Sequence, residues 1–162
     1  MKQNLFLEEA RLGKRSESII KYDEVPHLAI LPRRFRSFAL VDLAHVVMLV
    51  EKGILRRDRG TKLLGGLLAI HDGGPEKFPF NPQTGSYLVQ VEHYLEGRLG
   101  ADIAGRSQTG RSRNDQDAAA DRLFTRDLLL EAVGDVLLLE RAVLARAREH
   151  AATVMPGYTH LQ

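Results

Sequence analysis

Two short polar stretches concentrate the groups that could handle a charged substrate. They are residues 109–116, Thr-Gly-Arg-Ser-Arg-Asn-Asp-Gln, and residues 155–162, Met-Pro-Gly-Tyr-Thr-His-Leu-Gln. Around the first, Gly105 and Gly110 permit a loop whose backbone comes close to a ligand. Ser112 or Asn114 can cap a helix that follows, and Asp115 and Asp117 complement its positive end. Arg111 and Arg113 then project near a helix N-terminus, a favourable place to hold a carboxylate or phosphate. The same residues also read as a well-capped helix start with solvated arginines. In the second stretch Pro156-Gly157 forces a turn, and Tyr158, Thr159 and His160 offer a phenol, a hydroxyl and an imidazole in succession. Histidine, with an ordinary pKa of about 6.5, exchanges protons near neutrality, although a lone loop histidine is as readily an ordinary polar residue. His27, His45, His71, His93 and His150 lack metal-ligand spacing and read as structural, so no metal site is expected.

The elements that must carry these stretches read as helices. From Phe38 to Val50 the apolar residues Leu40, Val41, Ala44, Val47 and Met48 recur at helical spacing, with Gly53 as the C-cap. Ile54 to Ile70 gives a second helix, in which Gly65-Gly66 allows close approach of a neighbour. Pro75, Pro79 and their neighbouring glycines mark a long loop from Asp72 to Gly85, and Tyr87 to Leu99 reads as a third helix ending near Gly100. The dominant helix runs from about Asp115 to His150, some 36 residues and about 50 Å at 1.5 Å each. Its apolar positions, among them Leu123, Leu130, Val136, Leu137 and Val143, wrap most of the way round, which predicts burial on more than one side. That length and pattern suit a bundle, with self-association or a partner segment covering the surplus apolar surface. Gly134 in its middle costs about 1 kcal/mol against alanine, and close helix packing is the simplest reason for it. Ahead of the helices, residues 1–37 read as an irregular N-terminal arm, because Pro26 and Pro32 interrupt any helix and Lys14, Arg15, Arg33, Arg34 and Arg36 mix with acidic residues. The expected layout is therefore all-α: an arm at 1–37, a helical domain at 38–114 and the start of a central bundle at 115–162.

Composition narrows the function classes. With 162 residues, 44% of them hydrophobic, the chain can bury a real core. No apolar run approaches the roughly 20 residues that span a bilayer, so no membrane association is expected. Glu8 and Glu9 stand where a secretion signal would need its apolar stretch, and the lack of cysteine fits the cytoplasm. A net charge of +2 is small for a nucleic-acid binder. An anion- or nucleic-acid-binding module using Arg33, Arg34, Arg36, Arg111 and Arg113 is a rival reading, weakened by the interleaved acids.

Taken together, the two polar stretches, in this order and at this separation, resemble signatures of the fumarase/aspartase superfamily of lyases, and specifically of the argininosuccinate lyase branch. The likeness extends over residues 38–162, with further support in Asp42-Leu-Ala-His45 and Gly53-Ile-Leu55. It implies a reversible β-elimination that breaks a C–N bond and releases fumarate from argininosuccinate, without metal or organic cofactor. By resemblance, Ser112, Arg113 and Asn114 belong to a substrate-binding loop, Thr159 binds a carboxylate of the dicarboxylate-containing substrate, and His160 serves proton transfer. The resemblance further implies a homotetramer whose sites are assembled from different subunits through a bundle of long helices. Three positions depart from the family pattern. Asp42 stands where a substrate-binding serine is usual, and an acid there would repel a carboxylate. Tyr87-Leu88 replaces an Asp-Val-His run before Glu92, and Gln108 replaces a histidine. A lyase for a related amino-acid–succinate adduct is thus an alternative, as is a non-catalytic helical module of lyase ancestry. The family's general-base serine sits on a glycine- and serine-rich loop that this chain does not contain. The chain therefore reads as an N-terminal part of a longer protein, inactive by itself.

Overall fold

The computed structural model describes residues 16–162, so the portion of the expected arm before Ser16, with Lys14 and Arg15, lies outside the described residues. Four long helices dominate: α1 Val25–Glu51, α2 Arg57–Gly73, α3 Tyr87–Leu99 and α4 Arg113–Glu149. No strand occurs among the described residues, in keeping with the expected all-α class.

Residues 17–37 differ from the irregular arm that their prolines suggest. Ser16 caps a short turn, Glu17–Ile19, by accepting a hydrogen bond from the Ile19 amide, and a π-helical turn, Ile20–Glu24, leads directly into α1. Pro26 lies in the first turn of α1, directly after the π-helical turn, and the backbone stays helical there although proline offers no N–H to the turn before it. Pro32 sits inside the helix, which costs about 3 kcal/mol, but its own side is exposed while Leu28, Leu31 and Phe35 around it are buried. Full burial of such side chains contributes roughly 1.5–3 kcal/mol each, so packing outweighs the local penalty. The stripe continues along α1 through Phe38, Asp42, Val46 and Leu49 at steps of three and four. Gly53, at φ 69°, ends the helix as expected, and the Ile54 amide reaches back to the Leu49 carbonyl in a Schellman arrangement.

Helix α2 buries Leu63, Leu67 and Ile70 against α1, and α3 contributes Tyr87, Val91 and Leu95. Of the two adjacent glycines in α2, Gly66 is the one that lets helices approach: a Cβ there would lie 2.6 Å from a methyl of Leu95. Gly65 faces open space. The loop between α2 and α3 is held by aromatic contacts, Phe78 and Phe80 lying 5.4 and 5.8 Å from Phe35. Gln90 pins the same loop, accepting from the Asn81 amide at 2.9 Å and donating to the Gly85 carbonyl at 2.8 Å.

The chain divides into two compact units, one reaching to Phe124 and the other spanning Thr125–Gln162. The first unit thus takes in three turns of α4 beyond the expected division at residue 115, because Gln116 and Ala120 are buried and Asp121 pairs with Arg34 of α1. In the second unit the expected burial of the long helix is not met within the chain: Leu130 and Leu139 are each 65% exposed.

Candidate active site

In the first unit the polar stretch 109–116 is built from the short turns before α4. Ala101–Ala104 and Gly105–Gln108 form two brief helical turns, and Gly110, at φ 71°, then reverses the chain in a conformation that favours glycine. Gly105 has ordinary helical φ and needs no such freedom. Ser112, rather than Asn114, caps α4. Its hydroxyl accepts from the Asn114 amide and Asp115 accepts from the Ser112 amide, both at 3.3 Å, a reciprocal capping box.

Behind this cap lies a buried polar node. A single carboxylate oxygen of Asp42, Oδ1, accepts from Nη2 of Arg111 and, at 2.6 Å, from Nε2 of Gln116. The side chains of Arg111 and Asp42 are only 5% and 2% exposed. The Arg111 Nε donates to Gln108 Oε1 at 3.0 Å. His45, one turn along α1, donates from Nε2 to the Thr109 carbonyl at 3.0 Å, since a carbonyl can only accept. Burial pushes the Asp42 carboxyl above its ordinary range, against the pull of Arg111. Burial, then the Arg111 charge, holds His45 below its ordinary value. Tyr87 is raised well above its ordinary value, by burial first and Asp42 second. Asp42 therefore does not present the free carboxylate that its place in the family pattern suggested. The signal for this was in the sequence: an acid at a core position of the α1 stripe, four residues before Val46. Gln116, four before the buried Ala120, carries the same signal and was not singled out.

A cleft of about 730 Å³ opens beside the node. Ser112, Arg113 and Arg111 line it on one side, with Gln108, Leu88 and Glu92 from the adjoining elements and His27 from α1. Asp42 is not among its lining residues, whereas the other two departures from the family pattern, Leu88 and Gln108, are. Burial, then Glu96, raises the Glu92 carboxyl above its ordinary value, so the cleft holds a carboxyl that keeps its proton to higher pH than a free one. Asn114 stands next to Arg113 on the first turn of α4, exposed. Of these three consecutive residues, Ser112 and Arg113 line the cleft and Asn114 does not. Among the described residues no group of three or more His, Cys, Asp or Glu is placed to hold a metal ion. Arg34 and Arg111 are committed to Asp121 and Asp42, which removes two of the five arginines from the anion-module reading.

Thr159 and His160 lie in the second unit, on a turn of their own. The Thr159 amide donates to the Gln162 carbonyl at 2.8 Å and the Gln162 amide donates back to the Thr159 carbonyl at 3.1 Å. The two central residues, His160 at φ 51° and Leu161 at φ 65°, are both left-handed, the pattern of a type I′ turn that usually selects Asn and Gly. Non-glycine residues in this region carry strain, and such strain collects at functional sites.

Comparison with known proteins places the chain. The sequence profile of a protein family described as Lyase matches residues 42–162. An argininosuccinate lyase of Methanosarcina mazei is 40% identical over 128 residues, covering 79% of this chain and 26% of the relative. That of Methanococcus maripaludis is 36% identical over 157 residues, covering 96% and 32%. That of Methanocaldococcus jannaschii is 35% identical over 157 residues, again covering 96% and 32%. The chain spans between a quarter and a third of the length of these curated relatives.

Proposed function

The chain belongs to the lyase family, within the fumarase/aspartase superfamily, and from that membership we propose that it is part of an argininosuccinate lyase-like carbon–nitrogen lyase. The observation that carries the reading is the segment 109–116, folded as a capped helix start with Ser112 and Arg113 facing a cleft large enough for a small organic substrate. The names of the relatives support the reaction: elimination of argininosuccinate to arginine and fumarate. A base removes the proton beside a carboxylate of the succinyl group, the C–N bond breaks, and the nitrogen leaves with a proton. Ser112, Arg113 and Asn114 bind the substrate, Thr159 holds a carboxylate and His160 handles a proton, so that donors and cations meet the charge that develops. These 162 residues supply part of the site and are not expected to turn over alone. The working enzyme is a cytoplasmic homo-oligomer, a tetramer, joined through the exposed apolar face of α4.

A second reading is favoured by the cleft itself. Leu88 and Gln108 occupy cleft positions where the family pattern carries other polar groups, which suits a different amino-acid–succinate adduct. Both readings are tested on the whole protein as its gene encodes it, by following the ultraviolet absorbance of fumarate with argininosuccinate and with other succinyl adducts. Release from argininosuccinate supports the first reading, and release from another adduct alone supports the second. No release from any adduct overturns both and leaves a non-catalytic helical module. His160→Asn is expected to lower kcat by about 10²–10⁴-fold.

A further inference from the structure

We infer that Asp42 is the positioning residue of the segment 109–116: one buried carboxylate grips Arg111 and Gln116, and so holds the three residues 112–114 between them. The inference rests on the proposed role of those three residues in binding substrate. The geometry is specific. The two donors that converge on Asp42 Oδ1 come from either side of the tripeptide, so a shift of its backbone strains one or both of them. His45, on the same face of α1 three residues later, takes the carbonyl of Thr109 and anchors the start of the segment. One face of one helix thereby holds the stretch at three points.

The node is badly suited to stabilising the fold. Asp42 Oδ2, Arg111 Nη1 and Gln116 Oε1 are buried without hydrogen-bond partners among the described residues. A buried ion pair rarely outperforms apolar side chains of similar volume, and the position lies in a stripe otherwise filled by Phe38, Val46 and Leu49, where leucine would pack. What the acid supplies is a fixed geometry. A second consequence concerns charge. Arg111 is occupied by Asp42, so the arginine of this segment left to meet a substrate carboxylate is Arg113, which is exposed.

The test compares Asp42→Asn, Asp42→Leu and a core control, Leu67→Ala, in the whole protein. Amide hydrogen exchange is read peptide by peptide, alongside the KM and kcat for fumarate release. Asp42→Leu keeps the core filled and Asp42→Asn keeps an acceptor for Gln116 while weakening the hold on Arg111. Expected in both Asp42 variants is exchange at 109–116 accelerated at least about tenfold more than any acceleration in α2 and α3. KM should rise about tenfold with kcat changed less. Leu67→Ala should instead speed exchange throughout the first unit. Wild-type exchange at 109–116 in both Asp42 variants, or acceleration there no greater than in α2 and α3 as in Leu67→Ala, would overturn the inference. If the unmodified protein releases no fumarate, the lyase reading falls, and the exchange pattern still decides whether Asp42 holds the segment.

Discussion

His45 and the Asp42–Arg111 pair make the residue-scale predictions. Because burial and Arg111 depress the imidazole of His45, the folded state takes up its proton at lower pH than the unfolded chain does. Between the depressed folded value and the ordinary value of about 6.5, the unfolded state binds more protons, so stability rises with pH across that window. The contribution is complete above about pH 6.5 and fades as the pH falls through the window. Urea unfolding at about pH 7.5 and pH 5.5 checks this: His45→Gln should lose less stability between the two than the unmodified protein. The ion pair predicts an asymmetry. Asp42→Ala leaves the guanidinium of Arg111 buried and uncompensated, and should cost about 3–5 kcal/mol in urea unfolding. Removing both, as Asp42→Leu with Arg111→Met, should cost less than the sum of the single changes, since the two groups share one interaction.

Among the elements, α2 separates two glycines that the sequence writes side by side. Gly65→Ala adds a methyl to open space and removes backbone freedom, so the melting temperature should rise by the equivalent of up to about 1 kcal/mol. Gly66→Ala drives a methyl into Leu95, which is itself fully buried. Overpacking of this kind costs about 1–3 kcal/mol, partly offset by helix propensity, so its melting temperature should fall. The opposite signs test the packing of α2 on α3 directly. The turn at 159–162 belongs to the same scale. Its left-handed backbone at His160 and Leu161 is set by the two hydrogen bonds between Thr159 and Gln162, and Leu161→Gly should relieve strain there.

At the scale of the whole molecule, α4 is the open question that an experiment can close. Leu129, Val133, Val136 and Leu137 line a shallow apolar trough on its second-unit portion, and Leu138 is 63% exposed. Patches of that kind mark association surfaces. If α4 joins subunits as proposed, Val136→Glu should give a smaller species in sedimentation without loss of helical circular dichroism. Gly134 has nothing within 4 Å of a built Cβ in this chain. Alanine there should therefore leave the helix at least as stable, yet weaken association if a second helix crosses at that point.

How much was legible in advance depends on how local the cause was. The bounds of α3, the glycine stops at Gly53 and Gly100, and the two polar stretches follow from periodicity and turn chemistry, which neighbours in sequence decide. The family resemblance likewise rests on contiguous residues. The continuation of α1 across Pro32 was not legible, because the outcome turns on what Leu31 and Phe35 bury against, and those partners lie far along the chain. The fate of Asp42 was not legible either. Its type and place in the family pattern suggest an acid facing substrate, while its register in the α1 stripe brings it to Arg111 and Gln116, 69 and 74 residues away. Local periodicity and residue type were enough to say which segments form helices and which side chains could do chemistry. Which charges face each other in the core could be read from the fold alone, because pairing energies depend on distances that folding creates between residues far apart in sequence.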